Sequence, residues 1–185
     1  MKKILFLFIG PALFAATPQY QSPDITVPAA SADEAVLKQF SLAKADDYLE
    51  KGALAWTRKR GCVTCHTTGT YMQIRPELTS VLGKPTEEVR ELLTDELAEL
   101  QKMKHADLLK KTKPAEIIYT AVGLAQWDRH VTSKLSAETQ AALELMFRTQ
   151  EKSGTWDSVN LWPPLESSAF QEATVAAMAV ASAPQ

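Results

Sequence analysis

Residues 85–103 read PTEEVRELLTDELAELQKM. Val89, Leu92, Leu93, Leu97, Leu100 and Met103 recur at intervals of three and four, which puts them on one face of a helix with 3.6 residues per turn. Pro85 suits a first helical position, where no backbone N–H is needed. Glu87 and Glu88 then stand in the first turn, with Lys102, Lys104 and His105 at the far end, so the charges oppose the helix macrodipole at both termini. The stretch predicts a capped amphipathic helix that hides a single stripe.

The same period recurs on both sides. Ser31 with Glu34 forms an S-x-x-E capping box ahead of Val36, Leu37 and Phe40, which predicts a first helix. A second begins near Asp46, buries Tyr48, Leu49 and Trp56, and stops at Arg58-Lys59-Arg60 before Gly61. Residues 71–83, YMQIRPELTSVLG, predict a short helix broken by Pro76. Further helices are expected at 114–127, at 136–150 behind Ser136, and at 168–182 behind a Ser168/Gln171 capping box. No segment sustains strand alternation, so the fold class is all-α, with residues 31–185 as one domain.

Composition agrees with one soluble globular domain of 185 residues, 45% hydrophobic and 23% charged, with a formal net charge of -2. With 20 Lys+Arg against 22 Asp+Glu there is no basic footprint for nucleic acid. The N-terminus differs: MKKILFLFIGPALFAA, residues 1–16, has a basic start, a short apolar run and small residues at its end. That is the pattern of a secretory signal peptide, cleaved after Ala15 or Ala16, and it falls short of the roughly 20 apolar residues of a membrane span. An exported, periplasmic or extracytoplasmic protein is expected, in contact with the membrane only before cleavage. Residues 17–30, TPQYQSPDITVPAA, contain three prolines and read as an extended leader.

Both cysteines of the chain fall in residues 61–69, GCVTCHTTG. C-x-x-C-H is the attachment signature of c-type haem: two thiols three apart add to the vinyl groups on one porphyrin edge, and the next imidazole ligates the iron. A disulfide at this spacing closes too small a loop to constrain the unfolded chain. A structural zinc ion needs four ligands, while His105 and His130 lie in separate helical regions. A thioredoxin-type dithiol wants a βαβ setting. Covalent haem c is therefore the expected cofactor, with Cys62 and Cys65 as thioether anchors and His66 as the proximal ligand of the iron. Met72, Met103, Met146, His105 and His130 remain as sixth-ligand candidates, Met146 reading as core, and a five-coordinate iron is the other option. Arg58, Lys59, Arg60 and Arg75 flank the motif, where they either meet haem propionates or complement a helix end.

Residues 150–181, QEKSGTWDSVNLWPPLESSAFQEATVAAMAVA, hold Gln150, Gly154 and Trp156 in a Q-x-x-x-G-x-W arrangement between two helices. This resembles the QW repeat of the squalene cyclase and prenyltransferase superfamily, an α/α toroid of stacked helix pairs, with the repeat-like part at 145–182. Residues 55–72, AWTRKRGCVTCHTTGTYM, resemble the segment of exported planctomycete-type bacterial proteins in which C-x-x-C-H is embedded in such a toroid. The resemblance spans about residues 46–182. It implies a partial α/α toroid, in which Gln150 bonds toward the next repeat and Trp156 stacks beneath it. A full toroid is longer, so a fragment, an oligomer component or further repeats beyond Gln185 are expected. The cyclase D-x-D-D motif and the prenyltransferase zinc ligands are not recognisable, so an enzymatic role stays open and terpene cyclisation is not carried over. The leading expectation is a c-type cytochrome domain in electron transfer or haem-based redox sensing, with an unspecified redox partner. The alternatives are a haem-assisted enzyme on an apolar substrate in a toroid cavity, and a helical interaction scaffold with structural haem.

Overall fold

A computed structural model describes residues 20–22, 24–34, 36, 38–61, 63, 66–158 and 168–185. The expected signal peptide at 1–16 lies outside the described residues, as do Cys62 and Cys65. The chain is all-α apart from one short hairpin. Its elements run β1 (Tyr20–Ser22), β2 (Ile25–Val27), α1 (Leu42–Arg60), α2 (Thr68–Ile74), a 3-10 turn (Arg75–Leu78), α3 (Thr79–Leu82), α4 (Glu87–Lys102) and α5 (His105–Leu108). They continue with α6 (Lys113–Trp127), a π-helical turn (Asp128–Thr132), α7 (Ala137–Arg148) and α8 (Ala169–Ser182). Among the described residues no helix is long and apolar enough to cross a membrane.

Helix α6 is the axis of the packing. Its sequence KPAEIIYTAVGLAQW is apolar nearly all round, and every residue from Pro114 to Trp127 is buried. A helix without a polar face must be covered on every side, and α2, α4, α7 and α8 supply that cover. Gly123 sets the spacing. A Cβ placed there would lie 2.8 Å from Leu93 Cδ1 and 3.0 Å from Met72 Cβ, so hydrogen in place of a methyl is what lets α2 and α4 reach the axis. Leu93 and Met72 are themselves fully buried.

The α4 stripe behaves as its spacing predicts, with Val89, Leu93, Leu97 and Leu100 in the core and Leu92 and Met103 packed against it. Pro85 stands one place further out than expected, before the N-cap Thr86. The caps of the last helices also form: the Ser136 hydroxyl accepts from Thr139 N, and that of Ser168 from Gln171 N.

Three expectations need correction. Half of the Ser31/Glu34 box forms: the Glu34 carboxylate accepts from Ser31 N at 3.1 Å, while the Ser31 hydroxyl accepts from Asp33 N at 3.2 Å. They close only a turn, because no core meets the stripe that follows: Val36 is 93% and Phe40 83% exposed, and a single turn without packing does not propagate. The first described helix starts instead at Leu42, capped by Ser41. The extended leader, second, contains the β1–β2 hairpin, with Gln21 opposite Thr26; Val27 is buried and Ile25 packs on the core, docking the pair on α1. Third, α1 buries neither Tyr48 nor Leu49, and Trp56 only in part. It turns Gly52, Ala53, Leu54, Ala55 and Thr57 inward, leaving Tyr48 and Leu49 about half exposed.

Candidate functional site

Helix α1 ends as its basic last turn and glycine predict. Gly61 takes the left-handed conformation at φ 65°, and its N–H donates to Thr57 O at 2.7 Å. Val63, between the two cysteines in the sequence, is fully buried and belongs to the core cluster. The chain then enters α2, held beside α1 by hydroxyls: Thr68 Oγ1 donates to Ala53 O at 3.0 Å and pairs with Thr57 Oγ1. Gly52 and Ala53 are both buried on α1.

His66 is exposed, immediately before that helix. Its ring meets Trp56 edge to face, with centroids 5.0 Å apart and planes at 74°, while the Arg60 guanidinium stands 5.1 Å from the Trp56 ring centre. On its other side His66 forms part of the wall of a groove of about 270 Å³ between α1 and the α2–α3 region. One wall is the α1 stripe Leu42, Ala45, Tyr48, Leu49 and Gly52, and the other comprises Thr70, Tyr71, Ile74, Leu78 and Leu82. Leu49 is 56% and Ile74 54% exposed, which is costly unless something apolar covers them.

The groove has one polar side. Arg75, 5% exposed, donates from Nε to Asp46 Oδ1 at 2.6 Å and from Nη1 to Gly83 O at 3.0 Å. The Tyr71 hydroxyl lies 2.9 Å from Glu50 Oε2 and 3.2 Å from Asp46 Oδ1. Burial, reinforced by the Glu50 charge, pushes the phenol far above its ordinary range, so it remains a proton donor. Asp46 with Glu50, and Tyr71 with Arg75, are each spaced four apart on a helix. That spacing is the signal in the sequence that could have exposed this quartet.

A porphyrin needs a flat apolar seat, an axial base at its rim and two thiols beside that base. The described residues fit the first two requirements: His66 borders an aliphatic and aromatic groove, and the two cysteines precede His66 by four and by one residue. The other ligand candidates are elsewhere. Met72 and Met146 are fully buried in the core, Met72 against Gly123. Met103 and His105 border a separate hollow with Gln101 and Arg148, and His130 lies in the π-helical turn after α6. Of the flanking cations, Arg58 pairs with Asp24 and Glu88, Arg60 stacks over Trp56, and Arg75 alone borders the groove.

The Q-x-x-x-G-x-W stretch forms a tight corner at the end of α7. Gln150 Nε2 donates to Gly154 O at 2.8 Å, Gly154 has φ 87°, and buried Trp156 donates from Nε1 to Met146 O at 2.9 Å. The Gln150 bond thus closes its own loop. No protein-family model matches the chain, and no curated protein or solved structure matches it either.

Proposed function

We propose that the chain is an exported c-type haem protein, with Cys62 and Cys65 as thioether anchors and His66 as an axial ligand, working in electron transfer or haem-based redox sensing. The observation that carries this reading is that the histidine of the C-x-x-C-H run borders an apolar groove whose aliphatic rim is otherwise left in water. When bound, haem would supply one-electron chemistry at its iron.

The chain's own residues tune that chemistry. Leu42, Leu49, Ile74, Leu78 and Leu82 exclude water from the seat, which disfavours the more highly charged oxidation state. Trp56 restricts the swing of the His66 ring from outside. Val63, which stands between the two cysteines in the sequence, is itself fully buried in the core.

The finer reading of the scaffold as a partial α/α toroid is supported by the left-handed Gly154 and the sealing Trp156 indole of the corner after α7, while Gln150 bonds within that corner and not toward a next repeat. The decisive test of the haem assignment is production of the full chain with its leader in a host that matures c-type cytochromes. Haem peroxidase staining after denaturing electrophoresis should be positive, and negative in Cys62→Ala and Cys65→Ala. A well-exported, folded, stain-negative chain would overturn the assignment.

A further inference from the structure

We propose that the haem receives no second axial ligand from any imidazole or thioether of this chain, so that one face of the iron is open to a small uncharged ligand such as carbon monoxide or nitric oxide. This rests on the haem reading of Cys62, Cys65 and His66.

The chain has 3 histidines and 5 methionines, which makes the inventory short. His66 is committed to the proximal side. His105 opens α5 beside the hollow it shares with Met103, and His130 sits beyond the far end of α6. Met72 and Met146 are fully buried in the core, and a swing of either into the groove would empty close-packed space. The sulfur of Met178 accepts a hydrogen bond from Gln73 Nε2 at 3.2 Å, on α8. Met1 falls within the expected signal peptide. No histidine other than His66, and no methionine, borders the groove among the described residues.

The α1 wall reinforces the point. Ala45, Leu49 and Gly52 carry no donor atom, and Tyr48 is the one side chain of that stripe with an oxygen. Such a wall suits a neutral diatomic molecule. Apart from the Tyr48 hydroxyl it offers an anion no hydrogen bond to replace its hydration; Arg75, the cation that borders the groove, is engaged by Asp46 and Gly83 O, and the carboxylates of Asp46 and Glu50 stand on that polar side. An open, apolar-walled position favours reversible ligand sensing over simple electron relay.

The test uses the full chain matured with haem. Staining after denaturing electrophoresis is read first: a stain-negative chain fails the haem assignment itself, and this proposal with it. On stain-positive protein, absorption and electron paramagnetic resonance report the spin state. We expect high-spin ferrous protein whose carbon monoxide association rate rises in proportion to ligand concentration, with azide binding to the ferric form weaker by more than about tenfold than its binding to an open aqueous haem peptide. His105→Ala, His130→Ala and Met103→Ala should leave the spectra unchanged and the carbon monoxide affinity within about threefold. A low-spin six-coordinate spectrum in the unmodified protein would overturn the proposal. Conversion of that spectrum to high-spin in Met72→Leu or one of the three alanine variants would then identify the ligand.

Discussion

Replacing Gly123 by alanine sets two effects of known sign against each other. In an exposed helix the change stabilises by roughly 1 kcal/mol, because alanine loses less backbone freedom. At Gly123 the new methyl would meet Leu93 Cδ1 at 2.8 Å and Met72 Cβ at 3.0 Å, well inside the 3.5–4.0 Å at which carbons attract, per about 0.1–0.2 kcal/mol contact. Neither neighbour can retreat into solvent, since both are fully buried. Overpacking of this kind costs about 1–3 kcal/mol, so the net expectation is destabilisation of about 1 kcal/mol. In urea unfolding followed by far-ultraviolet circular dichroism, that lowers the midpoint by about 0.5 M for a slope near 2 kcal/mol/M. Leu93→Ala alone should cost about 2–5 kcal/mol, and the double variant should recover about 1 kcal/mol of the sum, because the new methyl occupies space that the leucine vacates. A Gly123→Ala protein more stable than the original, with additive behaviour beside Leu93→Ala, would refute the close approach of α2 and α4 to the axis.

Gly61→Ala should cost about 1 kcal/mol by the same assay, purely through the left-handed backbone at φ 65°, as nothing lies within 4 Å of the added methyl. Trp156→Ala should cost about 3–5 kcal/mol, and Trp156→Phe about 1 kcal/mol, the latter because Met146 O loses its indole donor. Burial, with the neighbouring Glu116 charge adding to it, pushes Glu96 up from 4.5 to about 7. The folded state then holds a proton that the unfolded chain has released, so this contribution to stability is full below about pH 4.5 and is lost as pH rises through about 7. Glu96→Gln should flatten the fall in thermal midpoint across that window, and an unchanged slope would count against it.

The helices that surround the axis were legible because each has one demand to satisfy. The α4 stripe, the Ser136 and Ser168 caps and the Gly61 stop all follow from spacing and terminal chemistry, and all appear as expected. The failures share a physical cause. Ser31 and Glu34 carry the local signal for a helix start, yet initiation without a packing partner goes no further. Tyr48 and Leu49 carry the periodicity of a core stripe, and period alone cannot distinguish a stripe that faces other helices from one that faces a groove. Residues 25–27 alternate over too few positions to register as a strand. At the site, the C-x-x-C-H run stands out in the sequence because its residues are contiguous, and the proposed function rests on it. The Asp46–Arg75 and Glu50–Tyr71 contacts join residues 21 to 29 positions apart and needed the fold.

The exposed rim of the groove bears on biogenesis. On the proposed haem reading, a chain exported before its prosthetic group is joined would carry Leu49, Ile74 and their neighbours as an oily furrow open to water. The surface proposed to seat a porphyrin would, when bare, be a handle for proteases, chaperones and other unfinished chains. Covering it would then be a quality signal as well as a functional step, marking the mature molecule as the one whose furrow has disappeared.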